Sequence, residues 1–323
     1  MMFYVTALGE ILIDFTPSHT SERGNPCFEQ NPGGAPANVL ACLAKLGAKT
    51  AFIGKVGKDI FGTFLKQVLS EYDIDISGLK SSSTCNTTLA FVKLDEKGDR
   101  SFSFYRNPGA DTSLEPSDVD LKLIEASRVF HFGSISMTDE PSRIATLRAL
   151  EHAKSKNLII SYDPNLRPAL WKNLDIALDE IKSVLDKVDL LKVSEEELEF
   201  ITGVNDLDKG SSILREQYDI EVVLVTRGIN GCYFRYKDHS GTKPAFRNLK
   251  SIDTTGAGDA FLGGFLYFVL SRGITTLDDM ETSLLESAVI FANAVAAICT
   301  TRRGAIPAMP DITEVNDLIN GVI

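Results

Sequence analysis

Cysteine is sparse and unpaired in this chain: Cys27, Cys42, Cys85, Cys232 and Cys299 lie scattered along 323 residues, with no Cys-x-x-Cys. That argues against a disulfide framework or a zinc site and predicts reduced thiols in a cytoplasmic protein. Basic residues are also few, 33 Lys and Arg against 44 Asp and Glu, for a net charge of −11. So acidic a surface repels nucleic acid and anionic membranes, and neither is expected as a partner. An anionic ligand would need local help from backbone amides, a metal or a few arginines. Long apolar runs are missing as well. The longest without charge, 260–270 and 288–299, are too short to span a bilayer. The amino terminus lacks a basic region, and Glu10 and Asp14 interrupt its apolar stretch, so no signal peptide is read.

What is there is ordinary for a globular chain, 44% apolar and 24% charged. The length suits one large α/β domain or two smaller ones. Short apolar runs at 3–8, 50–53, 128–132, 158–162, 188–193 and 221–226 mostly lack polar alternation, which predicts strands buried on both faces of a parallel sheet. Helical patterns fall between them, at 36–46, 60–72, 141–156, 176–186 and 195–202. The alternation predicts a doubly wound α/β fold, its mainly parallel sheet flanked by helices, with ligands beyond the strands' carboxyl ends.

Two segments break the pattern. Residues 15–32 are polar and irregular, while 87–93 and 101–106 alternate around the turn-forming Asp95-Glu-Lys-Gly98 and predict an antiparallel hairpin. Together, 15–32 and 87–111 are expected to form a small β-sheet lid inserted into an α/β domain of 1–14, 33–86 and 112–323. Leu89, Phe91, Phe102 and Phe104 alternate along that ribbon. Two strands alone cannot bury them, so a homodimer through the lid is expected.

The chemistry concentrates at Asp253-Thr-Thr-Gly-Ala-Gly-Asp259, directly before the apolar run 260–270. Free amides of a first helical turn attract phosphate, and Gly256 and Gly258 let them approach a ligand closely. Asp259 would then stand beside whatever meets the phosphate, as a base for transfer to a hydroxyl. Taken alone, the motif reads equally well as a capped turn. In Gly33-Gly-Ala-Pro-Ala-Asn38 paired glycines precede a helix, and Asp14 follows the first strand; such acceptors and amides suit a polyhydroxylated ligand. Asp163-Pro-Asn-Leu-Arg167 follows a strand and would aim Asn165 and Arg167 at the site. Ser194-Glu-Glu-Glu197 reads first as a capping box and second as a place for Glu197 in the water shell of a nucleotide-bound Mg²⁺. Thr226-Arg-Gly-Ile-Asn-Gly231 is a phosphate loop or simply a tight turn.

In this order, with Gly9-Glu-Ile-Leu-Ile-Asp14, Phe104-Tyr-Arg-Asn-Pro-Gly-Ala-Asp111 and Arg303-Gly-Ala-Ile-Pro307, the motifs resemble those of the ribokinase-like carbohydrate kinases, most closely the fructokinases among them. The resemblance implies ATP-dependent phosphorylation of a hexose hydroxyl, most closely D-fructose to fructose 6-phosphate. It makes Asp259 the base and the amides of Gly256, Ala257 and Gly258 the anion hole. Asp14, Gly33, Gly34, Asn38, Arg106 and Arg167 match positions on the sugar and phosphate side. Asn165, Thr226, Gly228, Gly231 and Asn293 fall on the nucleotide side, and Glu197 is the Mg²⁺-organising acid.

A monovalent cation, K⁺, is implied at Asp253 and the carbonyls of Thr255, Cys299, Arg302 and Gly304. Ser194 departs from the asparagine of many members, and Ala308 from the serine that ribokinases aim at the cation. The helix dipole at an exposed helix start is expected to hold the Asp259 carboxyl low. A 2-keto-3-deoxygluconate kinase is the alternative enzyme, and a catalytically silent sugar sensor the alternative outside enzymes.

Overall fold

Runs of Val, Ile and Leu without polar alternation form the centre of a nine-stranded sheet in the computed structural model, which describes residues 2–94 and 100–322. In chain order the elements are β1 (Phe3–Leu8), β2 (Leu12–Thr20), β3 (Pro26–Gly33), α1 (Ala35–Lys45), β4 (Thr50–Gly57), α2 (Ile60–Glu71), β5 (Asp75–Ser82), β6 (Leu89–Leu94) and β7 (Arg100–Tyr105). Then follow α3 (Leu121–Glu125), β8 (Ser127–Gly133), α4 (Ser142–Ser155), β9 (Ile159–Asp163), α5 (Leu174–Lys182), β10 (Leu190–Ser194), α6 (Glu195–Thr202) and α7 (Leu207–Tyr218). The chain closes with β11 (Val222–Thr226), β12 (Cys232–Tyr236), β13 (His239–Lys243), α8 (Ala257–Ser271), α9 (Thr282–Cys299) and α10 (Ile312–Ile319).

The large sheet runs β13-β12-β11-β10-β9-β8-β1-β4-β5 and is parallel except for β12 and β13. Successive residues of a strand point to opposite faces. Val222 and Leu224 therefore join one core layer with α1, α8, α9 and α10, while Val223 and Val225 join the other with α4 to α7. The direction of winding reverses between β1 and β8, and the loops that carry three of the sequence motifs leave the carboxyl ends of β9, β10 and β11. By length and composition alone α9 could cross a bilayer, yet ten of its residues are buried in the protein, most of them in the core layer it shares with α8.

The second sheet has four strands, β3-β2-β6-β7. Residues 15–32 are not irregular: they fall mostly in the β2–β3 hairpin, with Phe15 opposite Gln30 and Asp14 opposite Asn31. Their exposed faces carry polar side chains on both strands, which hides the period-two signal. β2 pairs in parallel with β6, so the ribbon expected from sequence is one half of a wider sheet. Its aromatic residues are partly covered: Phe15 stacks on Phe91 at 4.9 Å and meets Phe61 of α2 edge-on at 5.8 Å. Phe28 and Tyr105 stay 43% and 67% exposed. The turn at 95–98 and the Phe102 side chain lie outside the described residues.

Candidate functional site

Three neighbouring parallel strands end in polar residues, β9 in Asp163, β10 in Ser194 and β11 in Thr226. Facing them is the start of α8. Gly256 caps that helix at φ 75°, and a Cβ there would lie 2.6 Å from the Ala305 side chain, so only glycine fits. The preceding loop is pinned to the end of α9. Asp253 Oδ1 accepts from the Thr255 amide and hydroxyl at 2.8 and 2.7 Å, and its Oδ2 from the Gly304 amide at 3.0 Å. Thr300 O accepts from the amides of Ile252 and Asp253 at 2.7 and 3.1 Å. The segments that hold Asp253, Thr255, Cys299, Arg302 and Gly304 are thus brought together. The hydrogen bonds of Asp253 give that contact a purely structural reason as well.

Asp259 lies in the first turn of α8 and is 7% exposed. Asn38 of α1 donates from Nδ2 to its Oδ2 at 2.8 Å. Burial, then the charge of Asp163, push the Asp259 carboxyl up to about 6, against the opposing pull of Lys192, Asn38 and Arg167. The expectation of an exposed carboxyl held low is therefore overturned. Desolvation and a like charge outweigh the helix dipole once the side chain is covered.

Lys192, in β10, is the residue that sequence reading missed. Its ammonium is buried and pairs with Asp163 at 2.8 Å. A Cβ on Gly258 would sit 2.9 Å from Lys192 Nζ, so the glycine leaves room for a cation against the first turn of α8. Burial alone would lower the Lys192 pKa, but Asp163, Glu197 and Asp259 together raise it and keep the ammonium charged. The signal was available: a lysine inside an otherwise apolar strand run needs a buried partner.

Glu197 serves α6 as the capping residue read from sequence. Ser194 Oγ accepts its amide at 3.1 Å and Glu197 Oε2 accepts the Ser194 amide at 2.8 Å. Its Oε1 reaches across to the Leu166 amide at 2.7 Å. Burial and Asp163 raise its carboxyl, opposed by Lys192. Glu197 also lines a cavity of about 450 Å³ with Asn165, Arg167, Lys192 and Ser194. Asn165 holds its left-handed backbone, φ 46°, through an Asx turn to Asp163 Oδ1.

A second cavity, of about 400 Å³, gathers Thr226, Gly228, Gly231, Thr254, Ala257, Gly258 and Asn293. Ile229, Phe246, Leu249 and Phe261 supply its apolar walls. Segment 244–251 carried no periodic signal, so this half of the lining was not legible. Asp14 lies beside Gly33, where a Cβ would collide with its Oδ2. Gly34, at φ 116°, packs over Glu10, whose Oε1 accepts the Ala35 amide at 2.9 Å. Arg106 lines neither cavity. Its guanidinium is buried, paired with Asp111 at 2.7 Å and bonded to Thr138 Oγ1 and Ile135 O, tying the end of β7 to the loop after β8. Among the described residues, no three His, Cys, Asp or Glu side chains converge as a metal cage.

The family model described as pfkB family carbohydrate kinase matches residues 2–312. Fructokinase-1 of Zea mays is 44% identical over 98% of this chain and 97% of its own length. The crystal structure of a fructokinase with bound ATP from Xylella fastidiosa superposes with a TM-score of 0.90 at 34% identity, covering 99% of this chain and 98% of that one. A fructokinase double mutant from Vibrio cholerae, solved with fructose, ADP and potassium ion, gives 0.87 at 32% identity over 98% and 97%.

Proposed function

The chain belongs to the pfkB family of carbohydrate kinases, and we propose that it transfers the γ-phosphoryl group of ATP to D-fructose, giving fructose 6-phosphate. The observation that carries the reading is the buried Asp259, bonded to Asn38, in a first helical turn bordered by the apolar cavity on one side and by Lys192 on the other. Relatives named as fructokinases match nearly the whole chain.

In the proposed reaction the sugar hydroxyl oxygen attacks the γ-phosphorus, the bond to the ADP oxygen breaks, and the hydroxyl proton passes to Asp259 Oδ. A carboxyl held near 6 is ionised at neutral pH and is a better base than an ordinary aspartate. Amides at the start of α8 and the Lys192 ammonium face the charge of the transferring group, the part of the work that dominates phosphoryl transfer. Asp14, Gly33, Gly34 and Asn38 would hold the sugar, and Arg167 would counter phosphate charge. Mg²⁺ would neutralise phosphate charge when bound with the nucleotide. Glu197 suits its water shell, because each carboxylate oxygen keeps lone-pair capacity beyond its one amide donor.

Three finer expectations belong to the same reading. K⁺ would sit between the 253–255 and 299–304 segments; a rate unchanged when tetramethylammonium replaces KCl at fixed ionic strength removes it. A homodimer would cover Phe28 and Tyr105, and a monomeric mass at high micromolar concentration with full activity counts against it. The unpaired thiols fit a cytoplasmic setting, which cell fractionation can refute. The central test offers ATP with fructose and, separately, with 2-keto-3-deoxygluconate, and identifies the product. Turnover of the acid without turnover of fructose overturns the assignment.

A further inference from the structure

Glu10 is a buried carboxyl that the reaction outlined above does not use. It lies where the chain leaves β1 for β2 of the second sheet, and it is 2% exposed. Its Oε2 is buried with no hydrogen-bond partner among the described residues. Burial pushes the carboxyl up to about 7; the charge of Asp111 adds to the rise, against the pull of its own amide, the Ala35 amide and Arg106. An apolar side chain would fill this place without that desolvation cost. What the carboxyl contributes must therefore come from its one bonded oxygen.

That oxygen serves α1. The helix has Gly34 as its N-cap, which offers no side chain, and no acid in its first turn. Its Ala35 amide is thus left for another segment to satisfy, and Glu10 Oε1 accepts it at 2.9 Å. Close backbone packing holds the two segments to one spacing. A Cβ on Gly9 would lie 2.6 Å from Pro36 Cγ, and one on Gly34 3.0 Å from Ile11 Cα. Asn38 follows Ala35 by three residues and lies on the same face of the helix. A turn or slide of this first turn therefore passes directly to the bond from Asn38 Nδ2 to Asp259. The same junction leads to Asp14, four residues on from Glu10.

We propose that Glu10 is a positioning residue for phosphoryl transfer: by capping α1 from the β1–β2 junction, it holds Asn38 against Asp259 and keeps the sugar-side groups in register with it. This rests on the reading of Asp259 as the base. A carboxyl keeps an accepting oxygen whether ionised or protonated, so Glu10 supplies position rather than charge.

The test compares Glu10→Gln, which keeps an accepting oxygen, with Glu10→Met, which fills similar space and accepts nothing. Should the methionine variant not fold, Glu10→Ala is read instead. Glu10→Met should lower kcat about 10- to 100-fold and raise KM for fructose. KM for ATP should stay within about twofold, since the cavity lined by Thr226 and Asn293 takes no wall from α1. The bond from Asn38 lowers the Asp259 carboxyl. Loosening it should move the acid limb of kcat/KM up by about half a pH unit or more. The other groups facing Asp259, namely Asp163, Lys192, Arg167 and the neutral thiols of Cys42 and Cys299, are untouched by the substitution. In Glu10→Gln the limb should stay in place and kcat within about threefold of the parent. In an Asn38→Ala background, Glu10→Met should move the limb no further. An unmoved limb in Glu10→Met, or a glutamine variant as impaired as the methionine one, overturns the proposal while leaving the kinase reading intact. A native protein that does not turn over fructose overturns that reading, and this proposal with it.

Discussion

A carboxyl raised to about 6 in the folded protein leaves two signatures at Asp259, one in rate and one in stability. kcat/KM should fall tenfold per pH unit below about 6 and level off above it, as the base is protonated. Lys192→Met removes a positive charge that lowers this carboxyl, so the acid limb should move to higher pH; a limb that stays put excludes the pairing. Asp259→Asn should cut kcat by roughly 10²–10⁴. Stability runs the other way. An unfolded aspartate titrates near 3.8, so between that value and 6 the folded state binds more protons and this group's contribution falls as pH rises. At pH 8 the ionised side chain disfavours the fold by about 3 kcal/mol. Asn38 Oδ1, buried without a partner, could also accept from an amide placed at 259. Asp259→Asn should therefore melt higher than the parent at pH 8, with the gain disappearing below pH 4. A variant that melts lower at pH 8 would contradict this account of the site. Neither effect was legible in the sequence, because burial at 259 depends on α1 and β9, both remote in the chain.

At the level of elements, α8 is packed closely on two sides. A Cβ on Gly263 would lie 2.7 Å from the Cys42 Cβ and 3.0 Å from Val39 O of α1, and one on Gly264 would lie 2.9 Å from Val295 of α9. Asn38 and Cys42 are one turn apart on α1, as are Asp259 and Gly263 on α8, so the crossing that admits no methyl group also sets the Asn38–Asp259 contact. Gly263→Ala should cost about 1–3 kcal/mol in denaturant titration. It should also lower kcat more than it raises KM for ATP; an alanine variant with unchanged stability would mean the helices can part freely. The parallel strands and the helices with clear punctuation were legible, since apolar continuity reports burial on both faces. The regular hairpin pairing of β2 with β3 inside the expected lid, β5 and α7 were not. β5 (Asp75–Ser82) and α7 (Leu207–Tyr218) carry many polar residues, and tertiary contact rather than local pattern selects them.

For the whole molecule, the order of the motifs along the chain made the fold and the glycine turn before α8 legible. Lys192 and the apolar walls of the cavity lined by Thr226 and Asn293 emerge only when strands and loops distant in sequence meet. The meeting of β9, β10, α6 and α8 has a further consequence. Asp163, Glu197 and Asp259 all lie in the field of the Lys192 ammonium, which pairs directly with Asp163, and all four side chains are buried. Such a group cannot add the negative charge of a phosphate chain without drawing in something positive, and protons are the carriers always at hand. Binding of metal-free nucleotide at pH 7 should therefore be coupled to proton uptake from the buffer. The uptake would appear as a binding heat that changes with the ionisation enthalpy of the buffer, after correction for the nucleotide's own titration. It should shrink when Mg²⁺ accompanies the nucleotide and again in Asp259→Asn. A heat identical in phosphate and Tris would mean that the buried charges are already balanced. If the coupling is present, the enzyme's affinity for its phosphoryl donor is tied to the acidity of its surroundings, and weakens as the medium turns alkaline.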